Sequence, residues 1–120
     1  TVTNESMILR IATIMETHRS DERVQTMACK ALKALSYSGS PEIAQFCLHH
    51  IVTALQEYGH SASLTVEAID TIYYLVRFYS NCAADIRGSS PNIYELLSNA
   101  SELFPECKRK AHIVLCKIGA

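Results

Sequence analysis

From Ser6 to Ile118 the apolar residues recur at intervals of three and four, the spacing of one helix face and not the alternation of a strand. The clearest stretch is Asp21 to Ser36. There Val24, Met27, Ala28, Ala31, Leu32 and Leu35 fall on a single face. Ser20 and Asp21 are candidate N-caps, and Ser38-Gly39-Ser40-Pro41 predicts the end of the helix. Upstream, Ser6 to Thr17 places Met7, Ile8, Ile11, Ile14 and Met15 on another helical face. The join His18-Arg19-Ser20 is short, so the two helices are expected to be antiparallel neighbours.

Pro41 then stands where a helix favours its first residue. Ile43, Ala44, Phe46, Cys47 and Leu48 predict a short helix, with a bend or break near His49-His50 before Ile51 to Tyr58. Gly59-His60-Ser61 ends that element, and a long helix follows from about Ala62 to Tyr79. It is apolar nearly all round, which predicts burial on most sides. A short element over Ala83 to Ile86, a break at Gly88-Ser89-Ser90-Pro91, a helix from Asn92 to about Glu102 and a last helix from Pro105 to Ile118 complete the chain.

The long helices repeat one another. Superposed on Ala28, Ala68 and Ala111, they lie 40 and 43 residues apart. Val24 then matches Leu64 and Cys107, Leu32 matches Ile72 and Leu115, and Leu35 matches Leu75 and Ile118. Ala31 matches Thr71 and Val114, where only the threonine is polar and its methyl still packs. Outside these helices Ile11, Ile14 and Met15 parallel Ile51, Ala54 and Leu55, and Phe46 parallels Ile86. A period of about 40 residues, with two to three helices per unit, is that of an α-solenoid. The reading is one all-α domain over 1–120, with repeats at about 5–39, 40–80 and 81–120.

The string Val24-Gln25-Thr26-Met27-Ala28-Cys29-Lys30-Ala31-Leu32-Lys33-Ala34-Leu35 resembles the third helix of an armadillo repeat, V-Q-x-x-A-x-x-A-L-x-x-L. The order short helix, second helix, long third helix is similar to that unit in repeats two and three. Repeat one lacks the short first helix. The resemblance implies a right-handed α-solenoid segment whose third helices line a concave groove. Peptide-binding members often present a Trp and an Asn there. The corresponding positions here hold Lys30, Asp70 and Ile113, and Ala34, Tyr74 and Lys117, so a mode in which Asn side chains hold an extended peptide backbone is not expected.

Composition narrows the function. Hydrophobic residues are 48% and charged residues 19%, which is globular and not disordered. The net charge of −1 advertises neither a nucleic-acid nor a membrane partner. No apolar run approaches the roughly 20 residues of a bilayer span, and the first residues lack the pattern of a signal peptide. The chain lacks an initiator Met and ends on Ile118-Gly119-Ala120, so it reads as a fragment of a longer protein. Five cysteines, with no CxxC pair and four of them inside apolar helical patterns, suit a reduced cytoplasmic or nuclear setting. The sequons at Asn4 and Asn99 have the frequency of chance.

No catalytic, cofactor or metal site is expected. Cys47 with His50 and His49 has the spacing of one half of a zinc site, but no second pair accompanies it. No phosphate loop, nucleophile elbow or HExxH occurs. The expected function is a non-catalytic scaffold that holds a protein or peptide in the groove row Lys30, Asp70, Tyr73, Tyr74, Arg77, Arg109 and Lys117. Tyr37, Tyr73 and Tyr74 are candidates for contact because Tyr joins large area to a polar tip. Equally, Tyr73 could pack between repeats and Tyr37 could cap its helix. Lys30 and Lys33 at one side and Lys108, Arg109, Lys110 and Lys117 at the other would flank Glu67 and Asp70, or form an ordinary solvated face. The alternative function is a structural segment that stacks end to end on further repeats or on itself, or a regulatory domain attached to an enzyme.

Overall fold

The computed structural model describes residues 4–35, 40–89 and 92–119, and among them the chain forms seven α-helices, one 3₁₀ turn and no strand. The helices are α1 (Asn4–Thr17), α2 (Glu22–Leu35), α3 (Pro41–Tyr58), α4 (Ala62–Phe78), α5 (Ser80–Ser89), α6 (Ile93–Leu103) and α7 (Lys108–Gly119). The 3₁₀ turn, Pro105–Cys107, leads into α7.

Local chemistry starts the long helices where the pattern placed them. Asp21 Oδ1 accepts from the backbone N–H groups of Arg23 and Val24 at 3.1 and 3.2 Å, satisfying two of the orphan donors of α2. Ser40 Oγ caps α3 by accepting from Ile43 N at 3.3 Å, with Pro41 in the first turn. Ser61 Oγ does the same for α4 through Leu64 N at 3.4 Å.

Three expectations need correction. Helix α3 runs unbroken through His49 and His50. Neither residue removes a backbone donor, and Cys47, Leu48, His50, Ile51 and Val52 are all buried, so packing holds both halves on one axis. The second unit therefore has no separate short first helix. Second, α5 extends over ten residues, Ser80–Ser89, well beyond the stretch from Ala83 to Ile86. Third, Phe46 is 41% exposed while Ile86 is 1% exposed, so these two are not equivalent in burial.

The core is organised around α4. It packs against α2, α3, α5 and α7, and its residues Leu64, Ala68, Ile69, Ile72, Leu75 and Val76 are buried. Helices α2, α4 and α7 form one layer, with α4 in contact with both others. Helices α1, α3, α5 and α6 form the second, in which α3 touches α1, α5 and α6. Ala28, Ala68 and Ala111 are all buried, as small residues must be where long helices approach closely. Thr71, fully buried, has its hydroxyl 2.7 Å from Glu67 O and 3.1 Å from Cys29 O, tying α4 to the α2 backbone.

Cys29, Cys47, Cys82 and Cys107 are core residues, whereas Cys116 is exposed. Burial pushes the thiols of Cys29 and Cys47 up to about 12 and those of Cys82 and Cys107 up to about 11. Since the thiolate is the reactive form, native protein treated with excess iodoacetamide at neutral pH should gain one adduct, at Cys116. Mass spectrometry should show the remaining four only after denaturation. Early modification of Cys29 would contradict this packing.

Candidate functional site on the face of α2, α4 and α7

The outer face of the three-helix layer carries a continuous polar network. Lys33 of α2 reaches Glu67 Oε2 at 3.4 Å and Asp70 Oδ2 at 3.3 Å on α4. Lys110 of α7 reaches the other Asp70 oxygen at 2.6 Å. Asp70 therefore bridges cations from both neighbouring helices. Burial alone would lower the pKa of Lys33, but the Asp70 hydrogen bond and the Glu67 and Asp70 charges outweigh it and hold the ammonium above its ordinary value.

Toward the C-terminal end of α4 the face becomes aromatic and basic. Arg77 donates to the Tyr73 hydroxyl at 3.0 Å, and its guanidinium lies 5.8 Å from the Tyr73 ring and 5.9 Å from that of Phe78. Lys110 sits 5.6 Å from the same Tyr73 ring, so two cations lie against one aromatic side chain. Tyr74 and Phe78, four residues apart on the helix, stack at 6.0 Å with an interplanar angle of 5°. Phe78 is 51% exposed.

The helices of this layer run in one direction. Lys110 meets Asp70 midway along α4, and Glu106, one turn earlier, lines a hollow with Ser63 and Glu67, one to two turns earlier on α4. Arg77 and Lys117 each lie seven residues beyond the Asp70–Lys110 pair, in the last turns of α4 and α7.

Of the expected groove row, Asp70, Tyr73, Tyr74 and Arg77 form this one cluster. Lys30 lies beside it, in the hollow of about 320 Å³ lined by Thr26, Ser63, Val66, Glu67 and Glu106. Lys117 is exposed. Arg109 stands elsewhere: it lines a hollow of about 820 Å³ between α6 and α7 with Ser101, Glu102, His112 and Leu115. Lys110, its neighbour, is the α7 cation that engages Asp70. Tyr37 lies outside the described residues. Phe78 joins the cluster although its place in an apolar run gave it the pattern of a core residue. Its position in the last turn was the available signal, because the helix ends immediately after it.

Other places in the fold are less developed. Cys47 and His50 both lie in α3. The His50 ring packs edge-on against Phe46 at 4.7 Å, and burial, opposed by Glu16, pushes its pKa below the usual value. Among the described residues, no three His, Cys, Asp or Glu side chains converge as a metal site. Nor is any helix there long and apolar enough to cross a membrane. At the opposite end of the layer from Arg109, Ile11, Ile14, Val24 and Met27 line a hollow of about 490 Å³ between α1 and α2, with Met27 63% exposed. Comparison with protein-family models, curated proteins and solved structures finds no match to this chain.

Proposed function

We propose that this chain is a non-catalytic protein-binding segment, built as about three armadillo-like repeats of a right-handed α-solenoid, that takes a peptide or helix on the face of α2, α4 and α7. The observation that carries this reading is the Tyr73, Tyr74, Arg77 and Phe78 cluster. Aromatic residues and arginine are the side chains on which binding energy concentrates, and here they are held in place by mutual contacts. Preset geometry lowers the ordering cost of association. Phe78 adds nothing to the core with its exposed half, yet it is kept stacked and accessible.

The test is affinity capture from lysate with wild type, Phe78→Ala and Tyr74→Ala. Truncating a central aromatic anchor commonly costs at least about 2 kcal/mol of binding, a loss of roughly thirtyfold. Phe78→Ala should abolish specific capture at a cost in stability no larger than the Tyr74 stacking it removes, about 0.5–1.5 kcal/mol. Tyr74, half-buried, should lose binding together with about 0.5–1.5 kcal/mol of stability from the lost stacking. Capture that is indifferent to both substitutions would remove this face from consideration.

A second reading, that the chain is a structural segment stacking on further repeats, is favoured by the two hollows at the ends of the layer. Met27 and Ile14 are 63% and 47% exposed at one of them. On that reading Met27→Glu would disrupt assembly, seen by sedimentation, while Phe78→Ala would not.

A further inference from the structure

Charge is unevenly distributed among the helices of the chain. Helices α2, α4 and α7 contain eight Lys and Arg residues (Arg23, Lys30, Lys33, Arg77, Lys108, Arg109, Lys110 and Lys117) but three carboxylates, Glu22, Glu67 and Asp70. From chain totals of 11 basic and 12 acidic residues, three basic and nine acidic remain for everything else. These three helices thus carry five excess positive charges and the rest of the chain six excess negative ones, with Glu106 of the 3₁₀ turn in the hollow beside Lys30, and with Arg23, Lys108 and Arg109 lining hollows at the two ends of the layer.

Two of the three carboxylates on these helices are engaged by cations. Lys33 and Lys110 hold Glu67 and Asp70, and Glu22 faces His60 at 3.9 Å. Among the described residues Lys30, Lys117 and Arg77 form no ion pair, and Arg77 contacts the Tyr73 hydroxyl and the Tyr73 and Phe78 rings. On the face itself Lys30, Lys33, Arg77, Lys110 and Lys117 outnumber Glu67, Asp70 and Glu106, and Arg77 places positive charge 5.9 Å from the exposed Phe78 ring. Taking the proposed binding face as given, we infer that its partner is an acidic peptide segment whose carboxylates flank one aromatic or large apolar side chain. The apolar side chain would pack on Phe78 and Tyr74, with carboxylates toward Arg77 and Lys117. A nucleic acid fits less well, because Glu67 and Asp70 lie in the middle of the face and would oppose a continuous line of phosphates.

Fluorescence anisotropy at low salt tests this with labelled probes: a short Glu/Ser peptide with one central Phe, its Lys/Ser counterpart, the Glu/Ser peptide without Phe, and oligothymidylate. The acidic Phe peptide should bind saturably, and more tightly than each of the others. Arg77→Glu with Lys117→Glu should weaken it at least about tenfold, and added salt should weaken it further. Lys117→Glu alone, at an exposed site, gives the same direction should the double variant fold poorly. Absence of binding by the acidic Phe peptide, unchanged binding by Lys117→Glu, or tighter binding of oligothymidylate would each overturn the inference. Amide shifts separate its failure from that of the face itself. A basic peptide that moves the Tyr74 and Phe78 signals would refute the acidic partner and retain the face, while no movement with any peptide would count against both.

Discussion

Ile72→Ala is expected to destabilise the protein by about 2–5 kcal/mol, because it empties the centre of α4, which packs against both α2 and α7 in its layer. Ile72 has no exposed surface, and α2, α3 and α7 all pack on its helix, so the surroundings have little freedom to collapse into the cavity. Leu32→Ala, at the matching position of α2 and 1% exposed, should fall in the same range. Leu115→Ala should cost less, since α7 has a neighbour on one side of its layer and leaves that leucine half-buried. Urea unfolding followed by circular dichroism at 222 nm, a wavelength of about the helical minimum, would rank the three. If Leu115→Ala proved the most damaging, the equivalence of these positions would fail.

Gln25→Leu should be nearly as harmful despite adding an apolar side chain to an apolar layer. Gln25 is 3% exposed, and its amide donates to Met15 O at 3.0 Å and to His18 O at 2.8 Å. Those carbonyls belong to the end of α1, where a helix leaves acceptors without internal donors. One side chain on α2 thus closes the C-terminus of α1 and fixes the angle between the helices. Losing the donor leaves Met15 O without its side-chain partner, at about 1–3 kcal/mol where water does not reach it, whereas His18 O keeps the Asp21 N–H at 3.0 Å. Gln25→Glu is the discriminating control, because it keeps the shape and replaces the donor by an acceptor. It should destabilise at neutral pH at least as much as Gln25→Leu. A neutral effect of Gln25→Glu on the unfolding midpoint would show that shape, and not hydrogen bonding, is what the site requires.

The all-helical architecture and most helix limits were legible because their causes are local. Asp21, Ser40 and Ser61 supply cap oxygens, Pro41 fits a first turn, and the three-and-four spacing marks the buried face of each helix. The break expected at His49-His50 failed because polarity is not a stop signal. Only contacts made by the residues on both sides decide whether such a pair bends the chain, and here those residues are buried together.

The candidate site was legible in kind but not in detail. Asp70 meets cations 37 positions before it and 40 positions after it, close to the 40-residue spacing of the apolar pattern. Spacing along the chain could not choose between Arg109 and Lys110, since adjacent helical residues point about 100° apart and the choice depends on how α7 is rotated against α4. Phe78 shows the same limit from the other side. Its apolar character and period were those of the core, but the helix ends there and Phe78 stays 51% exposed. By itself the sequence determined which faces must be buried, because that follows from side-chain chemistry and helical period. Tertiary structure alone decided which charges meet and which apolar residue stays outside, because those depend on the rotation and overlap of helices distant in the chain.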